Sequence, residues 1–66
     1  MNIILYSTHC PKCKVLKSKL VEKSIDFTEN NSIDDMIGLG ITQAPILSVD
    51  GSLLEFKDAV AWVNNN

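Results

Sequence analysis

The chain has 66 residues, 45% of them hydrophobic and 21% charged, with a formal charge of −2 and no arginine. That length holds one domain, near the lower limit at which a single core buries enough surface to fold, and the longest apolar run is too short to cross a membrane. An acidic balance without arginine, and without aromatics interleaved among the lysines, speaks against a nucleic-acid partner.

The opening Met1-Asn2-Ile3 enters a short apolar run, Asn2–Tyr6, which predicts a strand breaking into the polar loop Ser7-Thr8-His9. No positive leader or cleavage site precedes that run, so a cytoplasmic monomer with no membrane partner is expected. Cys10 then falls at a helix N-cap and Pro11 at the first helical position, where its missing N–H costs nothing. A helix is predicted over 12–24, with Cys13, Leu16 and Leu20 at helical spacing and Val15 and Val21 widening that stripe. Next, Ile25-Asp26-Phe27-Thr28-Glu29 alternates apolar with polar, the pattern of a half-exposed edge strand. Asn30-Asn31 marks a turn, and Ser32-Ile33-Asp34-Asp35 reads as a capped helix start, with Ile33, Met36 and Ile37 facing one way and Gly38-Leu39-Gly40 as its end. Ile46–Val49 is the second apolar strand, and Asp50-Gly51 is a two-residue hairpin turn into Ser52–Glu55. The last helix carries Phe56, Ala59, Val60 and Val63 on one face, with Trp62 beside it as packing rather than as a ligand platform. The expected class is α/β, in the order β-α-β-α-β-β-α, with the first and third strands central and helices on both faces.

Both cysteines lie in Cys10-Pro11-Lys12-Cys13. At the N-cap, Cys10 meets free backbone amides and the positive end of the helix dipole, which favour thiolate over thiol. Such settings lower a cysteine's ordinary value of ~8.5 to roughly 3.5–7.5. Cys13, one turn further in, is placed to attack a mixed disulfide formed at Cys10. Cys10 is therefore the expected nucleophile and Cys13 the resolving thiol. A purely structural bridge is a poor alternative, because so short a loop constrains the unfolded chain by only about 2 kcal/mol. A metal or iron–sulfur carrier using Cys10 is the other alternative; with two cysteines and the single His9, it needs a second chain to complete four ligands.

The lysines are segregated. Five of the six lie between Lys12 and Lys23, giving that stretch +4 after Glu22 is counted, while the remaining seven carboxylates meet Lys57 alone. The cluster either steers an acidic partner or an anionic thiol toward Cys10 or coats a solvent face.

Tyr6-Ser7, then Cys10-Pro11-Lys12-Cys13, then Thr42-Gln43-Ala44-Pro45 ahead of a strand together resemble the thioredoxin superfamily, and within it the glutaredoxin-like redoxins, over essentially the whole chain. The resemblance implies a minimal thioredoxin fold with a four-stranded mixed sheet, and a dithiol–disulfide oxidoreductase with no bound cofactor. It implies support of the active site by Pro11, Lys12 and a cis-bonded Pro45, and substrate binding by Tyr6, His9, Gln43, Ala44 and Lys57. The implied partners are a disulfide-bearing protein, ribonucleotide reductase among them, and an electron donor that is either glutathione or a thioredoxin reductase. The chain departs from typical glutaredoxins in a loop one residue shorter before Cys10, with Thr8-His9 in place of the usual lysine. Glu55-Phe56-Lys57-Asp58 stands where Gly-Gly-x-Asp is usual, and Gln43-Ala44-Pro45 looks more like the ribonucleotide-reductase redoxins.

Overall fold

A computed structural model describes residues 2–8 and 10–66. Strand β1 (Ile3–Tyr6) is followed by α1 (Pro11–Glu22), β2 (Thr28–Asn30), α2 (Ile33–Gly38), β3 (Ile46–Val49), β4 (Ser52–Leu54) and α3 (Phe56–Asn64). The strands form one mixed sheet in the order β2-β1-β3-β4, so the two most continuously apolar strands are the central ones. β1 runs parallel to β2 and antiparallel to β3, and β3 pairs antiparallel with β4. Among the described residues this is an α/β fold with a four-stranded mixed sheet and three helices.

The register sorts the side chains by face. Leu5 lies opposite Leu47 and Tyr6 opposite Ile46, and because side chains alternate along a strand, each pair contributes to a different core. On one face Ile3, Leu5 and Leu47 meet Leu16 and Leu20 of α1 and Ala59 and Val63 of α3. Ile25, Phe27, Val49, Leu54, Phe56, Val60 and Trp62 pack around that cluster, so Trp62 does serve packing. On the other face Tyr6 and Ile46 meet Met36 of α2, flanked by Ile4 and Ile41.

Three local departures from the sequence reading have physical causes. The second strand covers only Thr28–Asn30 rather than 25–29. α1 ends through Ser24, which adopts φ 57°, and the Ile25 N–H turns back to donate to the Leu20 carbonyl at 3.0 Å, so the chain reaches the sheet late. Val15 and Val21 are exposed rather than flanking the buried stripe. In α2 only Met36 is buried, while Ile33 and Ile37 are 54% and 68% exposed, because a six-residue helix turns too little surface toward the sheet to bury all three. Its start is as expected: the Ser32 hydroxyl accepts the Asp35 N–H at 3.3 Å.

The Asp50-Gly51 turn joins β3 to β4 with both residues at positive φ, 50° and 92°, the backbone that a two-residue hairpin of matching twist requires. Asp50 also closes the open end of the β1–β3 ladder. Its backbone N–H donates to the Asn2 carbonyl at 2.8 Å and its carboxylate accepts the Asn2 N–H at 2.7 Å.

Candidate active site

Cys10 is the N-cap of α1 in extended backbone, with Pro11 opening the helix. The first helical hydrogen bond runs from Lys14 N–H to the Cys10 carbonyl at 3.1 Å. The Cys10 sulfur accepts the backbone N–H of Cys13 at 3.2 Å, doing what a serine or aspartate oxygen usually does at this position. α1 carries no acidic residue in its first turn, whereas α2 has Asp34 and Asp35 and α3 has Asp58. An anionic sulfur at Cys10 would supply the negative charge that the helix start otherwise lacks.

The two sulfurs are in disulfide contact, with Cα atoms 5.0 Å apart. Their exposure differs: Cys10 is half-buried, and Cys13 is only 3% exposed behind it. A reagent approaching from solvent therefore meets Cys10 first.

The loop 41–45 brings a second element to this pair. The Ala44 carbonyl oxygen lies 3.9 Å from the Cys10 sulfur, the Ala44–Pro45 peptide is cis, and Pro45 is fully buried. Gln43 and Ala44 line two clefts. One, of about 270 Å³, is of mixed polarity, with Thr8 and Thr42 as well as Ile33, Met36, Ile37 and Ile41 among its walls. The other, of about 210 Å³, is charged, with Lys12, Glu55 and Lys57 around Pro45 and Phe56. There the Lys12 ammonium sits 5.6 Å from the Phe56 ring centroid, and Gln43 Nε2 donates to Glu55 Oε1 at 3.2 Å.

Behind the loop that leads to Cys10 is a polar network. Ser7, 1% exposed, donates its hydroxyl to Glu29 Oε2 at 2.9 Å, and Asn31 Nδ2 donates to the Ser7 carbonyl at 3.0 Å and hydroxyl at 2.9 Å. Lys17 of α1 completes it with a 2.9 Å ion pair to Glu29 Oε1. The Lys17 ammonium, and then the Ser7 hydroxyl, hold the Glu29 carboxyl below its ordinary value. Helix α1, strand β2 and the end of β1 are thus tied together next to the cysteines.

Of the residues singled out in the sequence, the fold gathers Cys10, Pro11, Lys12, Cys13, Gln43, Ala44, Pro45 and Lys57 into one region. Tyr6 stands apart: it is a core residue, 7% exposed, packed with Met36 and Ile46, and it lines neither of the clefts at Ala44. His9 lies outside the described residues. Glu55, Glu29 and Asn31 are site-region residues that the sequence alone does not single out. Glu55 reads there as a bulky residue opening the last helix, and Glu29 and Asn31 as strand end and turn. Among the described residues, no group of three or more histidine, cysteine or acidic side chains is placed to hold a metal ion.

Compared with protein families, with curated proteins and with solved structures, the chain matches none.

Proposed function

We propose that this chain is a dithiol–disulfide oxidoreductase with a minimal thioredoxin-type, glutaredoxin-like fold. The observation that carries the reading is the inequality of the cysteine pair: an accessible sulfur that accepts a backbone N–H at a helix start, and a buried sulfur in contact with it. The element order β-α-β-α-β-β-α and strand order β2-β1-β3-β4 support the fold assignment.

In the reduced protein, the Cys10 thiolate attacks one sulfur of a substrate disulfide, forming a mixed disulfide and releasing the other substrate sulfur as a thiolate that takes up a proton. Cys13 then loses its proton and attacks the Cys10 sulfur, forming the Cys10–Cys13 bridge and expelling the second substrate thiol. Two electrons and two protons pass from the dithiol to the substrate. Two molecules of glutathione, leaving as glutathione disulfide, or a flavin-dependent thioredoxin reductase return the pair to its reduced form. Catalysis here is mostly preorganisation. The Cys13 N–H already points at the sulfur that bears charge, and the loop 41–45 offers the Ala44 carbonyl beside it.

The substrate is a protein or small-molecule disulfide, and a reducing cytosol is the compartment in which such a dithiol is useful. The test is stoichiometric. Reduced protein mixed with a disulfide loses two hydrogens' mass and releases two thiols per disulfide consumed, and Cys10→Ser does neither. A Cys10→Ser protein that consumed disulfide at the wild-type rate would refute the proposal.

A further inference from the structure

The charged cleft beside Pro45 contains a carboxylate that does not serve its own helix. Glu55 occupies the N-cap of α3 in extended backbone, yet its side chain makes no capping hydrogen bond. Instead the carboxylate accepts from Gln43, the residue adjacent to Ala44, whose carbonyl reaches the Cys10 sulfur. Around the same cleft stand two ammonium groups, Lys12 over Phe56 and Lys57. The cleft therefore holds two positive charges and one negative charge, and the negative one is held in place from the loop that touches the nucleophile.

We infer that Glu55 is a specificity-determining residue that sorts disulfides by the charge of their arms, by offsetting one of the two lysines at the point where an arm lying along Ala44 leaves Cys10. This rests on the thiol–disulfide reading given above. With Glu55 in place the cleft carries a single net positive charge, so it favours an anionic arm only weakly. Without it, the paired lysines attract carboxylates and repel ammonium groups. Both effects act through Coulomb interaction over a few ångströms at a wet surface, where one unit charge changes a rate by about threefold and salt removes most of the change. The cysteine chemistry is the same for every substrate; what differs is the local concentration of one charge type beside Cys10.

The experiment uses three disulfides of similar length: dithiodipropionate with two carboxylates, cystamine with two ammonium groups and hydroxyethyl disulfide with none. Reduced full-length protein is mixed with each at pH 7 and low ionic strength, quenched with an alkylating agent and read by mass spectrometry for the oxidised form. The quantity is the ratio of the dianion rate to the dication rate, with the neutral disulfide as reference for intrinsic thiol reactivity. In Glu55→Gln that ratio rises by about ninefold, as the product of two threefold effects in opposite directions, and it collapses toward the wild-type value in 1 M salt. Lys57→Gln lowers the ratio. Gln43→Ala, which frees the carboxylate without removing it, raises the ratio by less than Glu55→Gln does. A ratio in Glu55→Gln within twofold of wild type, or one that falls, overturns the inference. Wild-type protein that none of the three disulfides oxidises faster than they oxidise Cys10→Ser overturns the thiol–disulfide reading itself, and this inference with it.

Discussion

The backbone N–H of Cys13 donates to the sulfur of Cys10 at 3.2 Å, so in the proposed reaction the resolving residue would also stabilise the charge on the nucleophile. Cys13→Ser keeps that N–H. It is therefore expected to retain attack by Cys10 while losing resolution, and to accumulate a mixed disulfide with its substrate. Brief alkylation of the reduced wild-type protein should label Cys10 well ahead of the buried Cys13. Peptide mapping that found the two labelled at equal rates would contradict the assignment.

The donor is expected to be a flavin-dependent thioredoxin reductase rather than glutathione. Thr8, not a lysine, lines the cleft on that side of Ala44, and the start of α3 presents Glu55 and Phe56 rather than a close glycine backbone. A charge-assisted hydrogen bond to glutathione would be worth about 1.5–3 kcal/mol, so the absence of two weakens its binding by at least about a hundredfold. The check is the rate of Cys10–Cys13 reduction by each donor at matched pH, and faster reduction by physiological glutathione would reverse this expectation.

Glu29→Ala is expected to destabilise the fold by about 1–3 kcal/mol, chiefly because it strips the buried Ser7 hydroxyl of its acceptor. The ion pair with the half-exposed Lys17 adds little. The pH dependence has a definite sign. Because the folded protein holds Glu29 below its ordinary value of 4.5, its contribution is fully present above that value and is lost as pH falls through the lower folded value. Urea unfolding from pH 7 down to pH 3 should show this loss in wild type, and the component should be missing from Glu29→Gln.

Buried and exposed aliphatic residues are expected to respond differently to truncation. Leu47→Ala, at a fully buried position between α1 and α3, should cost about 2–5 kcal/mol. Ile37→Ser, at a mostly exposed position, should stay within about 0.5 kcal/mol. Chemical denaturation of both variants checks the contrast, and equal costs would contradict the burial described here.

Much of the fold is legible in the sequence because local signals agree. Pro11 after Cys10, Ser32 before Asp34-Asp35, and Asp50-Gly51 between two apolar runs each specify backbone directly, and the elements start where those residues say. Strand β2 is placed too early by its pattern, because alternation in Ile25–Glu29 reflects burial and not ladder pairing; Ile25 and Phe27 do pack on the core, but from the connection that follows α1. The helical period of Ile33, Met36 and Ile37 is real, yet period alone does not tell how wide a surface a short helix covers. In the candidate site, the cysteine pair is visible as contiguous sequence. The hydrogen bonds from Ser7 to Glu29 and from Gln43 to Glu55 span 22 and 12 residues, and such pairing appears only once the strands have set their register.

Helix α2 closes one face of the sheet with a single buried side chain, Met36, whereas α1 and α3 together commit Leu16, Leu20, Ala59 and Val63 to the other. Free energy of local opening follows such packing, so the amides of α2 belong to the early-exchanging part of the molecule and those of β1 and β3 to the part that exchanges only on global unfolding. Residues 41–45 connect the two regimes, with the rigid strand β3 at one end and the lightly held helix at the other. The cleft that Ile33, Met36 and Ile37 wall is thus the one whose width a displacement of α2 would change, while the charged cleft, with no α2 residue in its walls, and the cysteines at the start of α1 would stay where they are.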